Sequence, residues 1–256
     1  MTESMWGIWS VWRRYFAVFR KSFLYYLTTA FLEPILYLTS FAFGLGNLIG
    51  DVKVGNEMMN YQSFVFSGVI AQTVLFQGFF EGAYGGFFRL NYQRIFQAIA
   101  TTPVTLSEVI WAELLWDASK ATLASLLVTA IGIATGNFLW SSIILMIPVC
   151  FMSALLFGAL GLCTAGYSSN IDQISYPQFL FVFPMFLFCG VFYPIDVLPD
   201  PLPTLVWILP LTSVNSLMRT IAVGTPFESY ALAIIIAWVV VAIFMARRAL
   251  MSRLVK

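Results

Sequence analysis

Long apolar runs broken by short polar intervals set the plan of this chain. Six of them fall at residues 23–46, 61–84, 106–134, 141–165, 174–193 and 230–246. About 20 residues at 1.5 Å rise each cross the ~30 Å hydrocarbon core of a bilayer. The pattern predicts an all-α integral membrane protein, a single domain over residues 1–256, with six transmembrane helices. Ahead of the first run, Trp9, Trp12, Phe16 and Phe19 recur at helical spacing, bordered by Arg13, Arg14, Arg20 and Lys21. Rings at headgroup level with cations toward phosphates describe an amphipathic interface helix, here over residues 6–21.

The longest polar interval runs from Arg89 to Lys120. Inside it Tyr92, Ile95, Phe96 and Ile99 recur at i, i+3, i+4 and i+7, one face of a short helix. Arg89 and Arg94 lie mostly off that face. Pro103 disfavours helix at Thr102, so a Thr-Thr-Pro turn closes the segment. Thr105 or Ser107 then caps the next helix, with Glu108 in its first turn. An amphipathic helix on the water side of a membrane protein docks in a partner's groove or rests on lipid headgroups.

Polar residues within the apolar runs are candidate chemistry. Glu33 precedes Pro34: it sits near the midplane if the first span starts at Phe23, or in the interface if Pro34 opens the span. Glu113 and Asp117 are i, i+4, and Lys120 is three residues further on. One side of the third span therefore carries all three, with an Asp117–Lys120 pair expected. They line a path or snorkel at the membrane surface. Glu81 lies close to the polar end of the second span. In the fourth, Ser153, Gly158, Gly161 and Gly166 permit close helix contact. Pro177 and Pro184 break the fifth. Residues 194–226 carry five prolines between Pro194 and Pro210 and read as two short helices with a break, an external re-entrant or interfacial hairpin.

Composition supports the membrane reading: 60% of residues are hydrophobic and 10% charged, against about a quarter charged in soluble domains. A net charge of +1 leaves no footprint for nucleic acid. With no histidine, Ser-His-Asp hydrolysis, Cys-His chemistry and His-ligated metals are all excluded. Cys150, Cys163 and Cys189 lie in apolar runs without metal-ligand spacing and are expected as small buried hydrophobes. Six spans put both termini on one side. Arg13, Arg14, Arg20, Lys21, Arg89, Arg94, Arg247, Arg248, Arg253 and Lys256 then share that side, against Lys53 and Arg219 opposite. The positive-inside rule makes the first side cytoplasmic. No signal peptide is expected, because no small-residue cleavage site follows a short apolar core.

Four stretches carry a family resemblance: VWRRYF at 11–16, LEPILYLTSFAFGLG at 32–46, FFRLNYQRIFQAIATTPVTLSEVIWAELLWDASKA at 87–121, and FPMFLFCGVFYPIDVLP with LPLTSVNSLMR across 183–219. The chain resembles the type-2 ABC exporter permeases, most closely those that export nodulation factor (a lipochitooligosaccharide), with relatives in polysaccharide and drug export. It departs at Cys189, where those permeases usually carry serine. The resemblance implies a bacterial cytoplasmic (inner) membrane protein working as a homodimer. Each copy would bind a separate ATPase subunit, so that ATP and Mg sit on the partner and this chain binds no cofactor. The sequence agrees in lacking the phosphate-binding G-x-x-x-x-G-K-[ST] loop. It also implies that the segment holding Arg89, Tyr92, Arg94, Ile95, Phe96, Ile99, Thr102 and Pro103 is a coupling helix docked on the ATPase. Candidates for the path or gate are Glu33, Glu113, Asp117, Lys120, Phe192, Tyr193 and Pro194. The expected cargo is an amphipathic glycan, lipid-linked saccharide or similar hydrophobic molecule. A drug-efflux permease, an ion-coupled carrier and an intramembrane enzyme are the competing readings, and copurification of an ATPase separates the carrier and the enzyme from either ATP-driven permease.

Overall fold

The structure, a computed structural model, describes residues 5–55 and 57–254; Lys256, counted among the cations above, lies outside them. Helix α1 (Met5–Lys21) is followed by α2 (Phe23–Ile49), a hairpin of β1 (Asp51–Val54) and β2 (Glu57–Asn60), and α3 (Tyr61–Tyr92). Then come the short α4 (Ile95–Ala100), α5 (Leu106–Ala134) and α6 (Ser142–Tyr167). A 3-10 turn leads into α7 (residues 175–188), and two short helices follow, α8 (Leu202–Val206) and α9 (Pro210–Val223). Helix α10 (Ser229–Leu254) ends the described chain.

Among the described residues five helices are long and apolar enough to cross a membrane: α2, α3, α5, α6 and α10. The expected fifth span differs. Its 14 helical residues rise only about 21 Å, short of the ~30 Å core. Pro177 and Pro184 explain the break, since each lacks a donor and the turns between them widen to π-helix at Gln178–Val182. The stretch nevertheless runs alongside α3. The Tyr84 hydroxyl donates to Gln178 Oε1 at 2.7 Å, and that of Tyr61 to the Phe192 carbonyl at 3.1 Å.

Helix α3 is the centre of the bundle, wrapped by α5, α6 and α9. Its contact with α6 is close because glycines face one another. A Cβ on Gly82 would overlap the carbonyl oxygen of Gly158, and one on Gly161 that of Phe79. Backbones then approach without side chains between them, as lipid-embedded helices do when no hydrophobic force drives them together.

The bundle has two ends. At one end, here the near end, α1 packs on the start of α5, and Arg253 Nη2 donates to Asn91 Oδ1 at 2.8 Å, joining the ends of α10 and α3. At the far end lie the β-hairpin, the α5–α6 turn and helices α8 and α9. There Ser63 Oγ donates to Asn137 Oδ1 at 3.1 Å and Trp238 Nε1 to the Ile208 carbonyl at 3.1 Å.

Four local features go beyond the runs and stripes. Strands β1 and β2 form in the polar interval before Tyr61, pairing antiparallel with Asp51 opposite Asn60. Gly55, at φ 58°, follows β1 in the left-handed region that hairpin turns use. Second, α2 runs unbroken through Pro34 rather than starting there, and loosens to π-helix at Leu38–Leu45 just beyond it. Third, α3 extends to Tyr92, so the helix expected across 89–99 is split. Arg94 at φ 50° turns the chain left-handed and only Ile95–Ala100 forms α4. Fourth, the aromatic stripe of α1 is divided: Trp12 and Phe19 pack on Trp116 at 6.1 and 5.4 Å, while Trp9 and Phe16 remain exposed.

Candidate functional site

The near end holds an ionic cluster centred on Arg89, in which Glu113 and Asp117 are buried and Arg89, Glu81 and Lys120 mostly so. Arg89 Nη1 donates to Glu81 Oε1 at 2.8 Å, its Nη2 to Asp117 Oδ1 at 3.2 Å, and its Nε to Glu113 Oε1. Lys120 Nζ donates to the other oxygen of Glu81 at 2.5 Å. The pair expected between Asp117 and Lys120 is therefore not made; both reach across to α3 instead. Helix geometry explains how. Positions i and i+8 of a uniform α-helix lie about 80° apart around the axis. Between Glu81 and Arg89, α3 winds more loosely, as π-helix at Glu81–Gly85 and again from Phe88, and both side chains come to face α5. On α5, Glu113, Asp117 and Lys120 occupy i, i+4 and i+7 of one face.

The cluster counts three carboxylates against two cations. Glu113 Oε2 and Asp117 Oδ2 are buried and accept no hydrogen bond among the described residues. Aromatic rings close it from α1 and α2, with Tyr15 at 5.4 Å from the Arg89 guanidinium and Tyr26 at 4.9 Å from Lys120 Nζ. Burial, followed by the Glu113 carboxylate, pushes the Tyr15 phenol well above its usual range, so it stays neutral beside the cluster. A buried ion loses several kcal/mol of hydration, and only partners at this range restore it. Beside the cluster lies a cavity of about 710 Å³, walled by Arg14, Tyr15, Phe19, Tyr84, Trp116 and Lys120.

The expected coupling residues separate into two sets. Arg89 belongs to the cluster. Phe96 is 0% exposed and packs with Leu90, Val109, Ile110 and Leu114, while Ile95 and Ile99 lean on α1 and α5. The apolar face of α4 is thus spent inside this chain. What α4 and its flanking residues show to solvent is mostly polar: Arg94, Gln97, Thr101 and Thr102, with Pro103 beside them. Tyr92 is also exposed, tilted over Phe88 at 5.0 Å. Helix α5 begins with a capping box. Glu108 N donates to Thr105 Oγ1 at 3.4 Å and Thr105 N to Glu108 Oε2 at 2.6 Å. Gly7 of α1 sits against that same carboxylate, so a side chain there would displace it.

The expected path residues do not form one site. Glu113, Asp117 and Lys120 lie in the cluster. Glu33 is half-buried on α2, beside Gln72 of α3 and Tyr37. Phe192 stacks on Phe41 at 4.2 Å in an aromatic group with Tyr37 and Phe186. Tyr193 donates to the Leu187 carbonyl at 2.7 Å, and Pro194 borders a far-end cavity. Sequence reasoning left Tyr15 and Arg253 without roles. Arg253 Nη1 donates to the carbonyls of Ala165 (3.0 Å), Gly166 (3.3 Å) and Ser168, capping the C-terminus of α6. Arg253 lies 85 residues beyond Ser168, so no local pattern in the sequence pointed to this contact.

Comparison with known proteins places this architecture. The pattern of the ABC-2 type transporter family matches residues 7–223. Nodulation protein J of Rhizobium leguminosarum bv. trifolii is 30% identical over 217 residues, covering 85% of this chain and 81% of that protein. Nodulation protein J of Rhizobium meliloti (strain 1021) is 28% identical over 251 residues, 97% and 94% of the two chains. The inner membrane transport permease YadH of Escherichia coli (strain K12) is 25% identical over 169 residues, 66% and 65% of the two. A multi-pass membrane subunit of a transporter, and not an enzyme, is the consequence. The chain belongs to the ABC-2 type transporter family.

Proposed function

We propose that this chain is the membrane subunit of an ATP-driven exporter in a bacterial cytoplasmic membrane. Two copies form the path, and each binds a separate ATPase subunit that carries ATP and Mg. The chain passes the bilayer six times, α7 with its flanking residues making the fifth pass. The near end and both termini face the cytoplasm, and the hairpin at residues 194–226 covers the path outside. The cargo is an amphipathic glycan or lipid-linked saccharide, a class that rests on the resemblance to nodulation-factor exporter permeases.

One observation carries the mechanism: the Arg89 cluster locks the end of α3 to α5, against α1, directly beside α4. A force applied at the exposed rim of α4 would reach two long helices through ion pairs and packed rings rather than through slack loop. The cation distribution supports the orientation. Arg13, Arg14, Arg20, Lys21, Arg89, Arg94, Arg247, Arg248 and Arg253 lie at or toward the near end, Lys53 and Arg219 at the far end.

The test is reconstitution of this chain with a separate ABC ATPase subunit, following ATP hydrolysis and the movement of a fluorescent lipid-linked oligosaccharide. Cysteines at Gly55 and Thr225 should react from outside and one at Gln93 only from inside. Transport that runs on an ion gradient without ATP would overturn the reading, as would outside reaction at Gln93.

A further inference from the structure

At the far end a second cavity, about 490 Å³, opens between the β-hairpin, the residues after Tyr193, α9 and the start of α10. That volume falls within the range of small-ligand sites. Four charged residues line it: Arg219, Glu57, Asp196 and Glu228. Arg219 is only 6% exposed, and among the described residues no carboxylate pairs with it. Its guanidinium lies 3.9 Å from the centre of the Phe64 ring. Nε donates to Ser67 Oγ at 3.3 Å; Nη2 donates to the Gly190 carbonyl at 2.9 Å and Asn215 Oδ1 at 3.3 Å. Nη1 makes no hydrogen bond among the described residues.

A guanidinium stays charged in proteins, and burying one without a counter-ion carries a desolvation cost that an anion at its free side would offset. All the acceptors that Arg219 has are neutral, and an oxyanion would form a hydrogen bond roughly twice as strong. A simple anion does not suit the cavity, however, because Glu57 and Asp196 are exposed at its rim and Glu228, which accepts from Ser216 Oγ at 2.7 Å, lies beside them. Nor does a metal ion: among the described residues no three acidic, His or Cys side chains converge on one point. A simple cation is opposed by the arginine. We propose that this cavity binds a zwitterion, with an oxyanion on the free side of Arg219 and an ammonium group toward the acidic rim of Glu57 and Asp196. Trp207 and Tyr230, edge to face at 5.0 Å, form a wall against which the ammonium can also rest. The same chemistry occurs in the headgroup of phosphatidylethanolamine and in free glycerophosphoethanolamine. The inference holds whichever side of the membrane the far end faces.

The experiment uses the full chain, purified and placed in nanodiscs of phosphatidylethanolamine, phosphatidylcholine or phosphatidylglycerol. Lipid retained after transfer to detergent is read by native mass spectrometry. Wild type should retain phosphatidylethanolamine above phosphatidylglycerol, which offers the anion alone. Glu57→Gln with Asp196→Asn, both at the exposed rim and outside the packed core, should cut that retention about fivefold and leave phosphatidylglycerol unchanged. Arg219→Lys should lower it as well, while Arg219→Gln, which also loses the bonds to Gly190, is informative only beside the rim variants. Competition by free glycerophosphoethanolamine at micromolar concentration assigns the site to a soluble zwitterion; no competition with retention intact assigns it to the lipid. Equal retention of phosphatidylglycerol and phosphatidylethanolamine by wild type overturns the proposal. So does unchanged retention in the rim double variant.

Discussion

Replacing Arg89 with methionine keeps a long side chain in place and removes the charge. Glu81, Glu113 and Asp117 then face Lys120 alone, three carboxylates against one cation. Breaking a buried ion pair by deleting one partner costs ~3–5 kcal/mol. A chain of this size loses about 2–4 °C of Tm per kcal/mol. Arg89→Met should therefore unfold roughly 6–20 °C below wild type. The three buried free cysteines, Cys150, Cys163 and Cys189, supply the assay, because a thiol-reactive dye reports their exposure on heating in detergent. Charge counting gives the control. Glu113→Gln leaves two carboxylates against two cations, so it should cost much less than Arg89→Met and restore part of the loss when combined with it. An Arg89→Met Tm within about 2 °C of wild type would show that the cluster holds nothing together, since the estimate starts at roughly 6 °C. A Glu113→Gln Tm below that of Arg89→Met would refute the charge count itself.

Further outcomes follow from the same geometry. Phe96→Ala empties a fully enclosed site and should lose ~3–5 kcal/mol of stability by the same dye assay, whatever the ATPase does. Tyr15→Phe removes a buried hydroxyl that makes no hydrogen bond among the described residues, so its Tm should match or exceed wild type; a drop of several degrees would mean that the hydroxyl serves Glu113 after all. Gly161→Leu should abolish the monodisperse peak in size-exclusion chromatography, because its side chain meets the Phe79 carbonyl; a normal peak would mean that α3 and α6 can separate.

Hydrophobic runs placed most of the fold in advance, because a span is specified by length and apolarity alone. Phe23, Tyr61 and Leu106 are the first residues of α2, α3 and α5 as the runs required. Helix winding was not legible. Nothing in EGAYGGFFRLNY announces two π-helical turns, yet these carry Glu81 and Arg89 to one face and convert a local Asp117–Lys120 expectation into contacts between helices. The apolar face of the 92–99 segment was legible as a face, but periodicity does not say what covers a face. Phe96 finds Ile110 and Leu114 of its own chain. Residues 175–188 show the limit from the other side, since prolines that forecast a break do not say that the helix resumes as π turns.

Burial of Phe96 changes how coupling must work if α4 receives the push of an ATPase. An apolar anchor in a partner groove would make a long-lived contact, whereas the exposed rim offers Arg94, Gln97, Thr101 and Thr102. Such a surface binds through hydrogen bonds and charge, each worth about 1 kcal/mol or less when solvated. The partner must therefore grip several of these residues together, and α1 beside them extends the footprint through Arg13 and Arg14. Phe96 then acts inside this chain, wedged between α4 and α5, so that the rim cannot move without moving Ile110 and Leu114. This division of labour separates two variants. Arg94→Glu with Gln97→Ala should keep the wild-type Tm and reduce ATPase retention on an affinity column. Phe96→Leu, which keeps most of the packing, should retain the ATPase but weaken cargo-stimulated hydrolysis. If the surface pair leaves retention untouched and Phe96→Leu abolishes it, the apolar side chain is the docking residue and α4 must turn outward on binding.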